Sequence, residues 1–204
     1  EAFGNAKTIN NDNSSRFGKF IKLQFDSDGI IVGAHTINYL LEKSRLCNAG
    51  QNERSYHIFY QMCAGFSEEQ KKTYFINSVQ EFKSLTDGNC TTVESIDDVA
   101  DFKEVMNAMK IINITQEEQD YIWRICASIL HLYNLTFSEG HDGSTQIDNI
   151  DIIKEKVSKL LHIEDTQLEA CLIKTKLKVM SKEVIRNLNV ASAGAARDAM
   201  CQSL

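Results

Sequence analysis

A mainly helical fold carrying one short β-hairpin near its start is what this sequence predicts. Three observations lead there. Capping boxes open three segments, at Ser67-Glu68-Glu69-Gln70, Thr115-Gln116-Glu117-Glu118 and Thr166-Gln167-Leu168-Glu169. In each, a hydroxyl and the side chain three residues on satisfy each other's free backbone donors. Apolar residues recur at helical spacing, and no proline interrupts the 204 residues, where roughly 5% would be average. Strand-like alternation stands out in one stretch only.

Taken from the N-terminus, Glu1 to Thr8 reads as the end of a helix that the chain enters abruptly, as a fragment would. Asn11 to Lys19 is a polar loop. Phe20-Ile21-Lys22-Leu23-Gln24-Phe25 then alternates, Asp26-Ser27-Asp28-Gly29 turns, and Ile30 to Ala34 returns as a second strand. Two strands alone are marginal in water, so this hairpin is expected to join a larger sheet. Helices dominate afterwards. Ile122, Ile125, Cys126, Ile129, Leu130 and Tyr133 form one apolar stripe, and Ile152 to Leu161 carries another, interleaved with Lys154, Glu155, Lys156 and Lys159. The polar run Ser138 to Asp148, with Gly140 and Gly143, reads as an exposed loop with acidic Glu139, Asp142 and Asp148. There is no internal repeat and no sign of a second domain.

Composition excludes several classes. Hydrophobic residues at 43% and charged residues at 25% are ordinary globular values. A formal charge of −6 argues against bulk attraction to nucleic acid, so any anionic partner must meet a local basic patch. No apolar run approaches the roughly 20 residues of a membrane span, and no signal-peptide pattern is present. Six cysteines (47, 63, 90, 126, 171 and 201) are scattered with no C-x-x-C pair. Free thiols in a reducing cytosol are expected, which leaves the sequons at Asn89, Asn113 and Asn134 without meaning. His57 and His131 sit among apolar neighbours and read as interior, as does Trp123. His35, His141 and His162 lack metal-ligand spacing.

The chemistry concentrates in Asn11-Asp12-Asn13-Ser14-Ser15-Arg16-Phe17-Gly18-Lys19. Such a segment can donate hydrogen bonds to phosphate oxygens, offer a serine hydroxyl to Mg²⁺ and present an arginine fork to a carboxylate or phosphate. Taken alone, it could equally be a capped polar turn in which Asn11 and Ser14 satisfy backbone groups. The ten glycines never form G-x-x-x-x-G-K-[ST], so a companion phosphate cradle is missing from these residues. A second candidate is basic: Lys174, Lys176, Lys178, Lys182 and Arg186, relieved only by Glu183. On composition it is a solvated face.

The segment and its flanks closely resemble the myosin motor head. Glu1-Ala2-Phe3-Gly4-Asn5-Ala6-Lys7-Thr8 followed by NNDNSSRFGKF is similar to the helix end and switch I of a myosin. Leu40-Leu41-Glu42-Lys43-Ser44-Arg45, Glu53 to Gln61, Ile129-Leu130-His131-Leu132, Asn189-Val190 and Arg197-Asp198-Ala199 continue the match in order. Kinesins share a serine-serine-arginine core but follow it with Ser-His rather than Phe-Gly-Lys.

The resemblance implies an α+β fragment of a P-loop NTPase-type motor head, with 1–45 supplying switch I and two sheet strands and 46–204 a helical upper actin-binding subdomain. It implies that Asn11, Asn13, Ser14 and Ser15 bind nucleotide, that Ser15 ligates Mg²⁺, and that Ser14 and Arg16 are catalytic, Arg16 through an ion pair with a switch II glutamate. Asp12 is expected to point away from phosphate. The cofactor is ATP with magnesium. The basic stretch is similar to an actin-contacting loop, although Lys182, flanked by Ser181 and Glu183, stands where many myosins are acidic or phosphorylatable. The acidic run Ser138 to Asp148 corresponds by position to a second surface loop near actin. Implied partners are filamentous actin, the rest of the head and light chains on the neck, with a cytoplasmic, cytoskeletal location. Without a phosphate loop and switch II, these residues alone are expected to be inactive. A non-catalytic actin-binding or scaffold module from a truncated or degenerate myosin is the alternative, and an unrelated nucleotide switch a third.

Overall fold

The computed structural model describes the backbone of residues 1–179 and 182–204, and the side chains outside 177–184. Among the described residues there are four antiparallel strand pairs rather than one, set around a helical body. β1 (Asn5–Thr8) pairs with β2 (Asn11–Ser15), and β3 (Gly18–Phe25) with β4 (Ile31–Tyr39). The predicted hairpin is therefore present and longer than its alternation indicated. Glu1 to Thr8 is not a helix end: a turn leads into β1, whose Ala6 bridges to Tyr56. Tying this segment to β2 and to the helical body supplies the backbone partners that a helix would have supplied internally.

The helical body contains α1 (His57–Gly65), α2 (Glu68–Tyr74), α3 (Lys83–Thr86), α4 (Asp98–Ile111) and α5 (Gln116–Tyr133). The boxes at Ser67 and Thr115 both form, the Thr115 hydroxyl accepting from the Glu118 N–H at 3.2 Å. Helix α5 is the axis of the core. Trp123, fully buried, meets Phe66 edge-on at 5.8 Å and Phe102 at 5.7 Å. Its last two turns are enclosed on all sides, His131 included, whereas Ile122 and Ile125 are only half-buried. The apolar stripe thus predicted the helix but understated how far the body wraps its C-terminal end.

Beyond α5, β5 (Phe137–Glu139) pairs with β6 (Thr145–Ile147), so the stretch read as a loop is a short hairpin. A turn of π-helix over Ile152–Val157 runs into α6 (Ser158–Leu161), burying Ile153, Val157 and Leu160. Helix α7 (Asp165–Ile173) starts before Thr166, so the third capping box does not form; the Thr166 N–H is taken by the Asp165 carboxylate at 2.8 Å. β7 (Lys174–Val179) and β8 (Lys182–Asn187) form the fourth pair, and α8 (Val190–Ser203) follows, capped by Asn189. The basic segment is therefore a ribbon. All six cysteines are free, as expected, and four of them are buried.

Candidate functional site

Five residues of the polar segment, Asn11 to Ser15, are placed as β2 by its pairing with β1. Asn5 lies opposite Ser15 and Ala6 opposite Ser14, and the Arg16 N–H donates to the Gly4 carbonyl at 2.8 Å. Gly4 is required there, because a Cβ would run into the ring of Phe17. Opposed residues share a side, so Ser15 lies on the side of Asn5 and Ser14 on the side of Ala6, while a bulge between Asn11 and Ser14 breaks the alternation and leaves Asn11 opposite Thr8.

Each side chain has a distinct setting. Asn11 is exposed and its Oδ1 accepts from the Asn13 N–H at 2.9 Å. Asn13 Oδ1 lies 3.0 Å from Asn5 Nδ2 and 3.1 Å from His57 Nε2. Asp12 accepts from the Ser95 hydroxyl at 2.6 Å. Ser14 is half-buried, its oxygen 3.3 Å from Arg16 Nη1, and Ser15 is exposed. Arg16 is not left waiting for a partner: its Nε donates to Glu42 at 2.6 Å, and the Glu42 N–H returns a bond to the Arg16 carbonyl at 2.9 Å.

That pairing opens a network. Glu42 also receives Arg45 Nε at 2.7 Å, and Arg45 reaches Glu53 at 2.9 Å and the Arg54 carbonyl at 3.2 Å. Burial pushes the Glu42 carboxyl up, but hydrogen bonds from Arg16 and Arg45 outweigh it and hold the group below the usual carboxylate range. Arg45 is raised correspondingly by Glu42 and Glu53, against its own burial. One step further, Arg54, wholly buried, grips both oxygens of Asp98 at 2.8 Å and stacks over the Tyr60 ring at 3.7 Å. Burial, helped by the Arg54 charge, lowers His57 to about 4, so its imidazole is neutral against Asn13. A cleft of about 440 Å³ opens beside the strand, walled by Asn13, His57, Gln61, Asp101 and Glu104.

Sequence reasoning placed His57 correctly in the interior but missed its contact with Asn13, and it missed Asn5, Glu42, Arg45 and Ser95 as parts of the site. Spacing offered no signal, since Arg16 and Glu42 are 26 positions apart and Asp12 and Ser95 are 83.

The basic candidates are not gathered into one patch. Lys174, Lys176 and Arg186 are exposed. Lys176 pairs with Ile185 and Arg186 with Thr175, so the ribbon's register sends Lys174 and Lys176 to one face and Arg186 to the other. Lys178 and Lys182 hold strand positions near the tip, and their side chains lie outside the described residues, as does Ser181. In the acidic hairpin, Asp142 accepts from the Ser144 hydroxyl at 2.6 Å, and Asp148 accepts from the Ser138 hydroxyl.

The family model for the myosin head (motor domain) matches residues 1–204. The chain belongs to the myosin head family. It is 43% identical over 205 residues to Myosin-1 of Pyricularia oryzae, covering all of this chain and 17% of that protein. It is 41% identical over 208 residues to Unconventional myosin-VIIb of Mus musculus, covering all of this chain and 10% of that protein. Myosin-I heavy chain of Dictyostelium discoideum is 40% identical over 208 residues, again across the whole chain and 9% of that protein. The chain thus spans well under a quarter of the length of these curated myosins. Helix-rich architecture with small antiparallel strand pairs is consistent with part of a myosin head. No described helix is long and apolar enough to cross a membrane.

Proposed function

We propose that this chain is the switch I strand and upper actin-contacting part of an ATP-driven motor that works on filamentous actin. The observation that supports the reading best is the run Asn11 to Arg16, anchored on β2 and by Glu42, within a chain that matches the motor-head family from end to end. In this reading Asn11 and Asn13 face the nucleotide phosphates, Ser14 stands by the γ-phosphate and the attacking water, and Ser15 gives its hydroxyl to Mg²⁺. The donor set fits: these are amides and hydroxyls, hard ligands suited to phosphate and magnesium. Within this run Ser15 is the residue whose hydroxyl would hold the magnesium. ATP with magnesium supplies the γ-phosphoryl group whose loss the strand senses. Arg16 orients by Glu42 and Ser14, and closes the site by pairing with a glutamate of the rest of the head.

Arg186, Lys174, Lys176, Lys178 and Lys182 meet acidic actin from the β7–β8 ribbon, steering association in a salt-dependent way. The rest of the head, and light chains on a neck, are the other partners, in the cytoplasm on the cytoskeleton. By themselves these residues lack the phosphate loop and do not turn over ATP. ATP hydrolysis by the purified chain that Ser15→Ala abolishes would refute that last point.

Co-sedimentation with filamentous actin at low and raised salt tests the actin assignment. Salt-sensitive binding that weakens when Lys174, Lys176 and Arg186 are neutralised is expected. Binding that ignores both salt and those substitutions would overturn the ribbon as the contact. It would favour a scaffold module that holds actin by another surface.

A further inference from the structure

Strand β2 is fastened to the helical body by few side chains. Among the described residues two hydrogen bonds do so: Asn13 meets His57 of α1 at 3.1 Å, and Asp12 accepts from the Ser95 hydroxyl at 2.6 Å. The two fasteners differ in kind. His57 is buried, whereas Asp12 and Ser95 are both exposed. Ser95 lies in the connection 87–97 between α3 and α4, where the backbone is turns and irregular chain. A serine on such a segment is open to another enzyme's active site.

Its flanks are acidic. Glu94 precedes it, Asp97 and Asp98 follow, and no lysine or arginine occurs from 84 to 102. Glu94 and Asp97 are exposed, while Asp98 is committed to Arg54. The cleft that Ser95 helps to line also carries Asp101 and Glu104. Two other hydroxyls that precede acidic residues are engaged differently: the oxygens of Ser67 and Thr115 accept backbone N–H groups as helix caps. Ser95 donates instead, so its oxygen keeps lone pairs for attack on phosphorus. An acidic, exposed segment of this kind complements a basic groove.

We propose that Ser95 is a phosphorylation site for a protein kinase with a basic substrate groove, and that its phosphate unfastens β2. In the transfer the Ser95 oxygen attacks the γ-phosphorus of the kinase's ATP, and the bond from that phosphorus to the β-phosphate oxygen breaks. ADP leaves, and the hydroxyl proton passes to the kinase's catalytic base. The product has lost the hydrogen that Asp12 accepts. It also sets a charge of about −1.5 to −2 against the Asp12 carboxylate, and the acidic flanks offer no cation to receive it. Strand β2 then keeps Asn13 and its pairing with β1 but loses its exposed fastener. One consequence rests on the function proposed above: with β2 as the nucleotide strand, the intact head binds ATP more weakly once Ser95 is modified.

The test is to incubate the chain with Mg·ATP and an acid-directed serine kinase, remove the nucleotide, and read phosphopeptides and amide hydrogen exchange. Phosphate on Ser95 is expected, with the β2 amides exchanging about tenfold faster and those of α5 unchanged. Asp12→Asn, which removes the repelling charge, should show a smaller acceleration on phosphorylation; an equal one would overturn repulsion as the cause. Phosphate confined to Thr91, Thr92 or another hydroxyl would overturn the site. Phosphate on Ser95 that leaves β2 exchange unaltered, or speeds exchange through α5 as well, would overturn the unfastening. The unaltered chain gives these results by itself, so a variant that folds poorly does not remove the test. The readout is taken without nucleotide and so stands apart from the motor assignment. An intact head whose ATP affinity ignores Ser95 phosphorylation, despite a loosened β2, would refute the nucleotide reading of the strand instead.

Discussion

The β1–β2 corner and the β3–β4 ribbon are neighbours in sequence and opposites in physical make-up. Around β2, charge is buried: Arg45 and Arg54 are almost wholly enclosed, with side chains 5% and 0% exposed. Each is held by carboxylates at hydrogen-bonding distance. Along β3 and β4, apolar surface is exposed: Phe20, Phe25, Ile31 and Val32 are all more than half accessible. Burying charge is costly unless it is paired, and leaving large apolar side chains in water forgoes their transfer free energy. The corner is therefore braced against the helical body by directional bonds. The ribbon is held by its own ladder from Gly18–Tyr39 to Phe25–Ile31. A segment that must present a fixed set of oxygens to a ligand gains from the first arrangement. A segment of a larger sheet, the context the ribbon's composition predicts, tolerates the second.

Three substitutions probe that contrast, the largest effect first. Asp98→Ala strips the carboxylate from a guanidinium that has no access to solvent, and is expected to cost about 3–5 kcal/mol in denaturant unfolding. A cost below about 1 kcal/mol would mean that the stacking on Tyr60 alone accommodates Arg54, and the contrast would weaken.

Glu42→Gln keeps the shape and removes the charge that Arg16 and Arg45 share; about 1–3 kcal/mol is expected from hydrogen bonds to charged groups. Its pH dependence has a definite sign. The Glu42 carboxyl is held below its ordinary value, so its contribution is complete above the unfolded carboxylate pKa, about 4.3, and is lost as pH falls through the folded value. The gap between wild type and variant should therefore close in acid. A gap that stays constant down to pH 2 would show that Glu42 acts by shape.

Val32→Thr, on the exposed ribbon, should change the stability of this chain by less than about 0.5 kcal/mol. A loss of 2 kcal/mol or more would reveal that the ribbon's apolar surface is covered, and the two regions would differ less than their exposure indicates.

Legibility followed the range of the interactions. The boxes at Ser67 and Thr115 were readable because donor and acceptor lie three residues apart. The box at Thr166 failed because Asp165 already begins the helix and takes the Thr166 N–H for itself. The β3–β4 hairpin was readable from its alternation and its Asp-Ser-Asp-Gly turn, where Gly29 adopts φ +80°. β7 carried the same signal in Lys174-Thr175-Lys176-Leu177-Lys178-Val179. There the density of lysines drew attention to charge and away from the period of two. β5 and β6, three residues each, are too short for alternation to register.

By itself the sequence determined the family, the helical body, the β3–β4 hairpin and the residues of the polar segment, read as a loop where the structure has β2, because each is written in residues close together along the chain. Only the tertiary structure decided that Glu42 holds Arg16, that His57 and Asn5 brace Asn13, that Ser95 takes Asp12, that the basic ribbon presents two faces, and that the Cys47 thiol meets the Asp198 carbonyl of α8. The physical reason is that those contacts join groups of eight to more than 150 residues apart. No local period encodes them, and they exist only after packing of the core around Trp123 has closed the intervening loops.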